Sequence, residues 1–262
     1  MIVAGLCSES NPGSDKSLFD AIASKCQPGC EEYRIITQPD HARISGAIAA
    51  AFDRKRLPYI TDEVIEAISV HDIGWLGIDG AAPRPILPPF YRQGHLRSFL
   101  TTAPEIFLKA WTGSISHAEK IGPTAGMMVS MHFERLAHFR LGSAEDSEED
   151  VARVRAFVVQ ETSRQQQLRT HSSTTYRSQH LELLQFCDLV SLYLCCGIEG
   201  EIEFPQTFGD GPVRIRRCDI GAELKGVPLS GVIEGECPAY RWRPGSPMLT
   251  PTSIPVHVIA VN

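Results

Sequence analysis

The run from Leu181 to Gly197 is apolar almost throughout and carries Asp188 near its centre. Leu183, Leu184, Phe186, Leu189, Val190 and Leu192 crowd around that residue. A helix this apolar on all sides is a buried one. A carboxylate buried with it costs on the order of several kcal/mol unless it is paired. The rest of the chain must therefore bring a cation, a hydrogen-bond network or a metal ion to this one position. Arg135 and Arg164 are candidate counter-ions for it.

The other polar residues with ligand chemistry lie upstream. Thr37-Gln38-Pro39-Asp40 reads as a helix start, with Thr37 as N-cap, proline in the first turn and an acid at the third position. In that helix His41 stands one turn before Ile44 and Ser45, on the apolar side. Thr61 caps the next helix, in which Val64, Ile68 and His71 share one face. His71-Asp72 closes this helix, and Gly74 follows. A later helix from Thr124 to about Leu141 carries His132 on the stripe of Met128 and Leu136. Taken singly, His41 and His132 suit a satisfied core, and Asp72 suits a cap on the following turn. Together they are inward-facing imidazoles and carboxylates on helices that must pack on one another, and such a set is costly in a core unless it converges. Nitrogen and oxygen donors of this kind suit first-row divalent metals.

The order His, His-Asp, Asp on successive helices resembles the HD superfamily of metal-dependent phosphohydrolases. The flanking words extend the likeness: Gln38-x-Asp40-His41-Ala42-x-x-Ser45-Gly46, Ala67-Ile68-x-x-His71-Asp72-x-Gly74-Trp75, Ser130-x-His132 and Asp188-Leu189-x-Ser191-Leu192. The text is similar to an uncharacterised bacterial HD-type family over roughly residues 36 to 196. The resemblance implies metal ligands at His41, His71, Asp72 and Asp188. It implies catalytic roles for Asp72 and His132, and one divalent transition ion (Mn, Fe, Co, Ni or Zn) rather than two. It also implies a phosphorylated small-molecule substrate, a nucleotide or similar metabolite, cleaved by metal-activated water. Arg43, Arg135 and Arg164 are then candidate phosphate contacts. Two other classes stay open: a dinuclear iron oxygenase, which needs further histidines from among His95, His117, His132, His138 and His180, and a non-enzymatic ligand-binding module that keeps the metal.

On this reading the fold is mostly α: an HD-type helical bundle over residues 37–200, preceded by a segment 1–36 with a short strand at Tyr33–Ile36. From Glu201 onward glycine and proline become dense and short β-branched runs appear at Val213–Cys218, Gly231–Glu234 and Val256–Val261. They predict a small C-terminal antiparallel β appendage over 201–262, with Tyr33–Ile36 a candidate to join it. The stretch Gly77 to Gly94, with four prolines, reads as a loop covering the site.

A net charge of −6 argues against nucleic acid as a partner, and no run approaches the roughly 20 apolar residues needed to span a bilayer. No basic, apolar leader is evident at the start of the sequence, so the expected location is cytoplasmic. Cys187, Cys195 and Cys196 fall in the apolar helical run and read as buried, inert thiols. Cys26-x-x-x-Cys30 has no second pair spaced for zinc. The sequence leaves oligomeric state open, a homo-oligomer included.

Overall fold

The computed structural model describes residues 1–6, 18–27, 29–81, 84–85, 91–92, 95–96, 98–142, 146–169, 176–209, 211–246 and 248–261. Seven helices carry the body: α1 (Leu18–Lys25), α2 (Gln38–Ala50), α3 (Asp62–Ser69), α4 (Pro104–Ile121), α5 (Pro123–Leu141), α6 (Glu148–Leu168) and α7 (Arg177–Cys195). Their starts follow the local signals. The Thr37 side chain accepts from the backbone N–H of Asp40, Thr61 does the same for Val64, and Ser147 for Asp150. Ala103 is the N-cap of α4, and a capping box closes between Ser98 and Thr101 on a single 3₁₀ turn before it.

Seven strands form one sheet: β1 (Ile2–Gly5), β2 (Tyr33–Ile36), β3 (Ile202–Phe204), β4 (Val213–Cys218), β5 (Gly221–Lys225), β6 (Ile233–Trp242) and β7 (Thr250–Val261). Their order across the sheet is β1-β2-β6-β7-β5-β4-β3. All neighbours run antiparallel except β7 and β5, which are parallel.

This sheet overturns the expectation of a mostly helical bundle with a small antiparallel appendage. The chain is 52% helix and 21% strand, and the sheet is mixed and curls into a half-barrel. Its N-terminal strands are integral to it, since β2 pairs with β1 on one side and β6 on the other. Two physical effects hide it in the sequence. Ile2, Val3 and Ala4 are all buried, so β1 lacks the alternation that marks a half-exposed strand. Prolines 238, 251 and 255 interrupt the long strands β6 and β7 and read as breakers. In the structure all three fall on the same alternate positions of the β6–β7 register. The outer partners, β2 at Tyr240–Trp242 and β5 at Val258–Val261, do not reach them, so no ladder N–H is lost.

One hydrophobic core runs from Ile2 and Ile36 in the sheet through α2, α3, α5 and α7 to Val213 and Val258. A smaller cluster on the other side of β1, β2 and β6 holds Val3, Tyr33, Ile35, Tyr240 and Trp242. Strand β2 passes through Thr37 directly into α2, so the sheet sets where α2 begins. No helix among the described residues is long and apolar enough to cross a membrane. Half of the stretch 77–94 lies outside the described residues, and with it the reading of that loop as a cover.

Candidate metal centre

Four helical segments deliver the cluster. His41 comes from the first turn of α2, His71 and Asp72 from the turn that follows α3 (which ends at Ser69, before the expected His71-Asp72), His132 from the middle of α5 and Asp188 from α7. Two glycines permit the close packing this needs. A Cβ on Gly46 would lie 2.4 Å from the Ser69 Cβ and 2.8 Å from its Cα, so α2 and α3 meet at backbone distance. A Cβ on Gly74 would lie 1.9 Å from the Ala110 carbonyl oxygen, so the turn after Asp72 lies against α4. The Gly74 N–H donates to Ser114 Oγ there. On the far side of α5, Ser130 donates to buried Glu161, and Arg164 pairs with the same carboxylate, which pins α5 to α6 two residues from His132.

The side chains converge and are all but removed from solvent. His41, His71, Asp72 and His132 are each buried, and the Asp188 carboxylate is 14% exposed. His41 Nε2 stands 3.2 Å from Asp72 Oδ2 and 3.4 Å from Asp188 Oδ1. His71 Nε2 stands 3.6 and 3.7 Å from the same two carboxylates. Ligand atoms of His41, His71 and Asp188 lie within 4.8 Å of one another. His132 Nε2 lies farther out, 3.9 Å from Asp188 Oδ2.

The outer hydrogen bonds orient two imidazoles toward the carboxylates. His71 Nδ1–H donates to the Ile68 carbonyl at 2.8 Å, so Nε2 is the nitrogen that faces the carboxylates. That Nε2 is buried and has no hydrogen-bond partner. For His41 the tautomer is fixed by a chain of hydroxyls. Ser191 Oγ–H donates to the Asp188 carbonyl and Ser45 Oγ–H donates to Ser191 Oγ, so Ser191 meets His41 Nδ1 as an acceptor. His41 Nε2 is thereby the nitrogen that faces the carboxylates, at hydrogen-bond distance from Asp72 Oδ2. Asp72 makes no cap on the turn it precedes, so the bland reading of that residue does not hold. The arginines proposed as counter-ions for Asp188 are elsewhere: Arg164 pairs with Glu119 and Glu161, and Arg135 is exposed.

The electrostatics follow from this packing. Burial favours a neutral Asp188, but His71, His41 and His132 outweigh it and hold the carboxyl down at about 2. Burial likewise disfavours a charged His71, yet Asp72 and Asp188 prevail and raise it to about 9. At 3.6 Å and beyond this is charge acting on charge rather than a hydrogen bond. His132 lies farther from the acids, so burial wins and lowers it to about 4. A buried centre with two carboxylates, two imidazole Nε2 atoms facing them and an unpartnered imidazole nitrogen fits a divalent cation, which would replace the protons on those imidazoles.

The sequence profile of a family described as a protein of unknown function (DUF3891) matches residues 27–223. The chain belongs to that family. The DUF3891 match spans α2 to α7 and strands β2 to β4, so every residue of the centre lies inside it. No curated protein and no solved structure matches the chain.

The centre of this DUF3891 chain forms the floor of a cavity of about 310 Å³. Its walls are mainly aromatic, among them Trp75, Phe107, Trp111 and Phe133. That pocket has no signal in the sequence, because Phe107 and Trp111 at i, i+4 look like any packed helix face. The three arginines proposed for phosphate do not line it. Arg43 is exposed and pairs with Asp40, Arg135 is exposed, and Arg164 is committed to its two glutamates. Of the further histidines, His117 and His138 are exposed and His180 packs against Tyr59. The side chain of His95 lies outside the described residues.

Proposed function

We propose that this chain is a metal-dependent hydrolase of the HD type that transfers a phosphoryl group from a small phosphate ester to water. The observation that carries the reading is the convergence of His41 Nε2 and His71 Nε2 on Asp72 and Asp188 at the floor of a pocket. One divalent ion (Mn, Fe, Co, Ni or Zn) would be held by His41, His71, Asp72 and Asp188, and when bound it supplies Lewis acidity and a water acidified toward neutral pH. In the reaction a water oxygen bonds to phosphorus, the bond from phosphorus to the leaving oxygen breaks with its electron pair on that oxygen, and a proton originating from the water ends there.

The chain's own residues do the rest. Asp72 orients the attacking water through its carboxylate. His132, neutral and just outside the ligand set, carries the proton toward the leaving oxygen. The aromatic walls keep bulk water away from the reacting atoms.

The test is metal content by elemental analysis of the wild type, Asp72→Ala and Asp188→Ala, purified without chelator, together with turnover of a panel of phosphate esters. One ion per wild-type chain, lost in both folded variants, with ester hydrolysis, is the expected result. No metal after reconstitution, with both variants folded, removes the reading. Two irons and oxygen-dependent turnover would replace it with the oxygenase class.

A further inference from the structure

The walls of the pocket bear on what the ester is. Trp111 stacks on Phe133 with ring centroids 5.1 Å apart and an interplanar angle of 20°, and it meets Phe107 at 4.4 Å. These rings hold one another in place, so the slot is formed before anything enters it. At the mouth Phe19 and Phe139 are 51% and 64% exposed, an unusual condition for phenylalanine beside a buried polar centre.

Polar partners are scarce among the described lining residues. Beyond the cluster itself the lining offers Gln38, Thr102 and Arg140. The Arg140 guanidinium is already engaged by Asp146, to which both Nε and Nη2 donate. Among the lining side chains outside the cluster two buried polar atoms have no partner, the indole N–H of Trp75 and the amide oxygen of Gln38. The fully buried part of the described walls therefore holds one unpartnered donor and one unpartnered acceptor. A nucleoside brings a sugar and a base whose many donors and acceptors would be stripped of water here with little to replace it. An aromatic ring brings a face and an edge that suit these walls.

Resting on the hydrolase reading, we infer that the ester is that of a small aromatic, largely apolar alcohol or phenol rather than a nucleotide. Hydrolysis then releases the alcohol or phenol, which takes up the proton, and inorganic phosphate.

Two measurements on the metal-loaded protein test this. Binding of 1-naphthol and of adenosine is followed by titration, and turnover of 1-naphthyl phosphate is compared with that of 5′-AMP. The expected result is that 1-naphthol binds roughly tenfold or more tightly than adenosine, with a matching preference in kcat/KM. Phe139→Ser, an exposed position, should weaken 1-naphthol several-fold and leave the metal content unchanged. Naphthol preference without turnover of either ester supports the aromatic body and overturns the hydrolase reading. Turnover with 5′-AMP equal or preferred keeps the hydrolase and overturns the inference. Adenosine bound as tightly as 1-naphthol, or no binding of 1-naphthol, also overturns it.

Discussion

Ser191 Oγ lies 2.5 Å from Nδ1 of His41, a residue 150 positions earlier in the chain, and accepts its proton. The hydroxyl has its own proton engaged by the Asp188 carbonyl. One serine thus ties together a histidine on α2 and an aspartate on α7, and it decides which nitrogen of the histidine faces the acids.

Ser191→Ala should therefore weaken metal binding by about 10–100-fold while the protein stays folded, as outer-sphere partners of metal-bound histidine do elsewhere. Competition against a chromophoric chelator reads this directly. An unchanged affinity in a folded variant would mean that Ser45 or the packing alone sets the tautomer.

Metal should also stabilise the fold. Free ion at one hundred times its Kd adds about 2.7 kcal/mol, visible as a rise in Tm on adding Mn²⁺ or Zn²⁺ to the stripped protein. His41→Ala should lose that rise. An equal rise in wild type and variant would place the ion elsewhere.

The two glycines make a prediction about packing. Gly74→Ala forces a methyl into the Ala110 backbone and should cost about 1–3 kcal/mol or more in denaturant unfolding. Gly46→Ala should do likewise against Ser69. Gly77 lies nearby in the helical turn Leu76–Asp79, and a Cβ there would meet nothing within 4 Å, so Gly77→Ala should be neutral or slightly stabilising. Equal effects at all three positions would refute the close approach at Gly46 and Gly74.

His180 gives a pH dependence away from the centre. Burial lowers its pKa, against the opposing pull of a hydrogen bond to the Tyr59 carbonyl. The unfolded chain takes up a proton there at about pH 6.5, where the folded protein does not. The stability this residue contributes is therefore present above about pH 6.5 and lost as pH falls below it. Unfolding free energies measured across the mildly acidic range should drop more steeply for wild type than for His180→Gln. Parallel curves would show that His180 is protonated in the fold.

The centre is legible in the sequence largely because burial makes polar residues conspicuous. Asp188 stands out against Leu183, Phe186 and Leu189, and His71 falls on the Val64–Ile68 face. The helix starts at Thr37 and Thr61 follow from caps that act within one turn. What stays hidden depends on contacts distant in sequence. No local signal says that Ser191 meets His41, or that Phe19 and Phe139 share one pocket mouth. The sheet escapes notice for a related reason, since Ile2–Gly5 is too short and too uniformly buried to show a period, and its partners lie far along the chain.

That last feature bears on how the protein is made. The edge of Tyr33–Ile36 opposite Ile2–Gly5 is covered by Tyr240–Trp242, some two hundred residues later. Until the ribosome has delivered those residues, the strand that leads into His41 has one edge unpaired, and so distant a pairing is slow to form. His41 is thus among the last of the cluster to be held firmly, and loading of the proposed ion would belong to the end of biogenesis rather than to the emergence of the helices that carry the cluster.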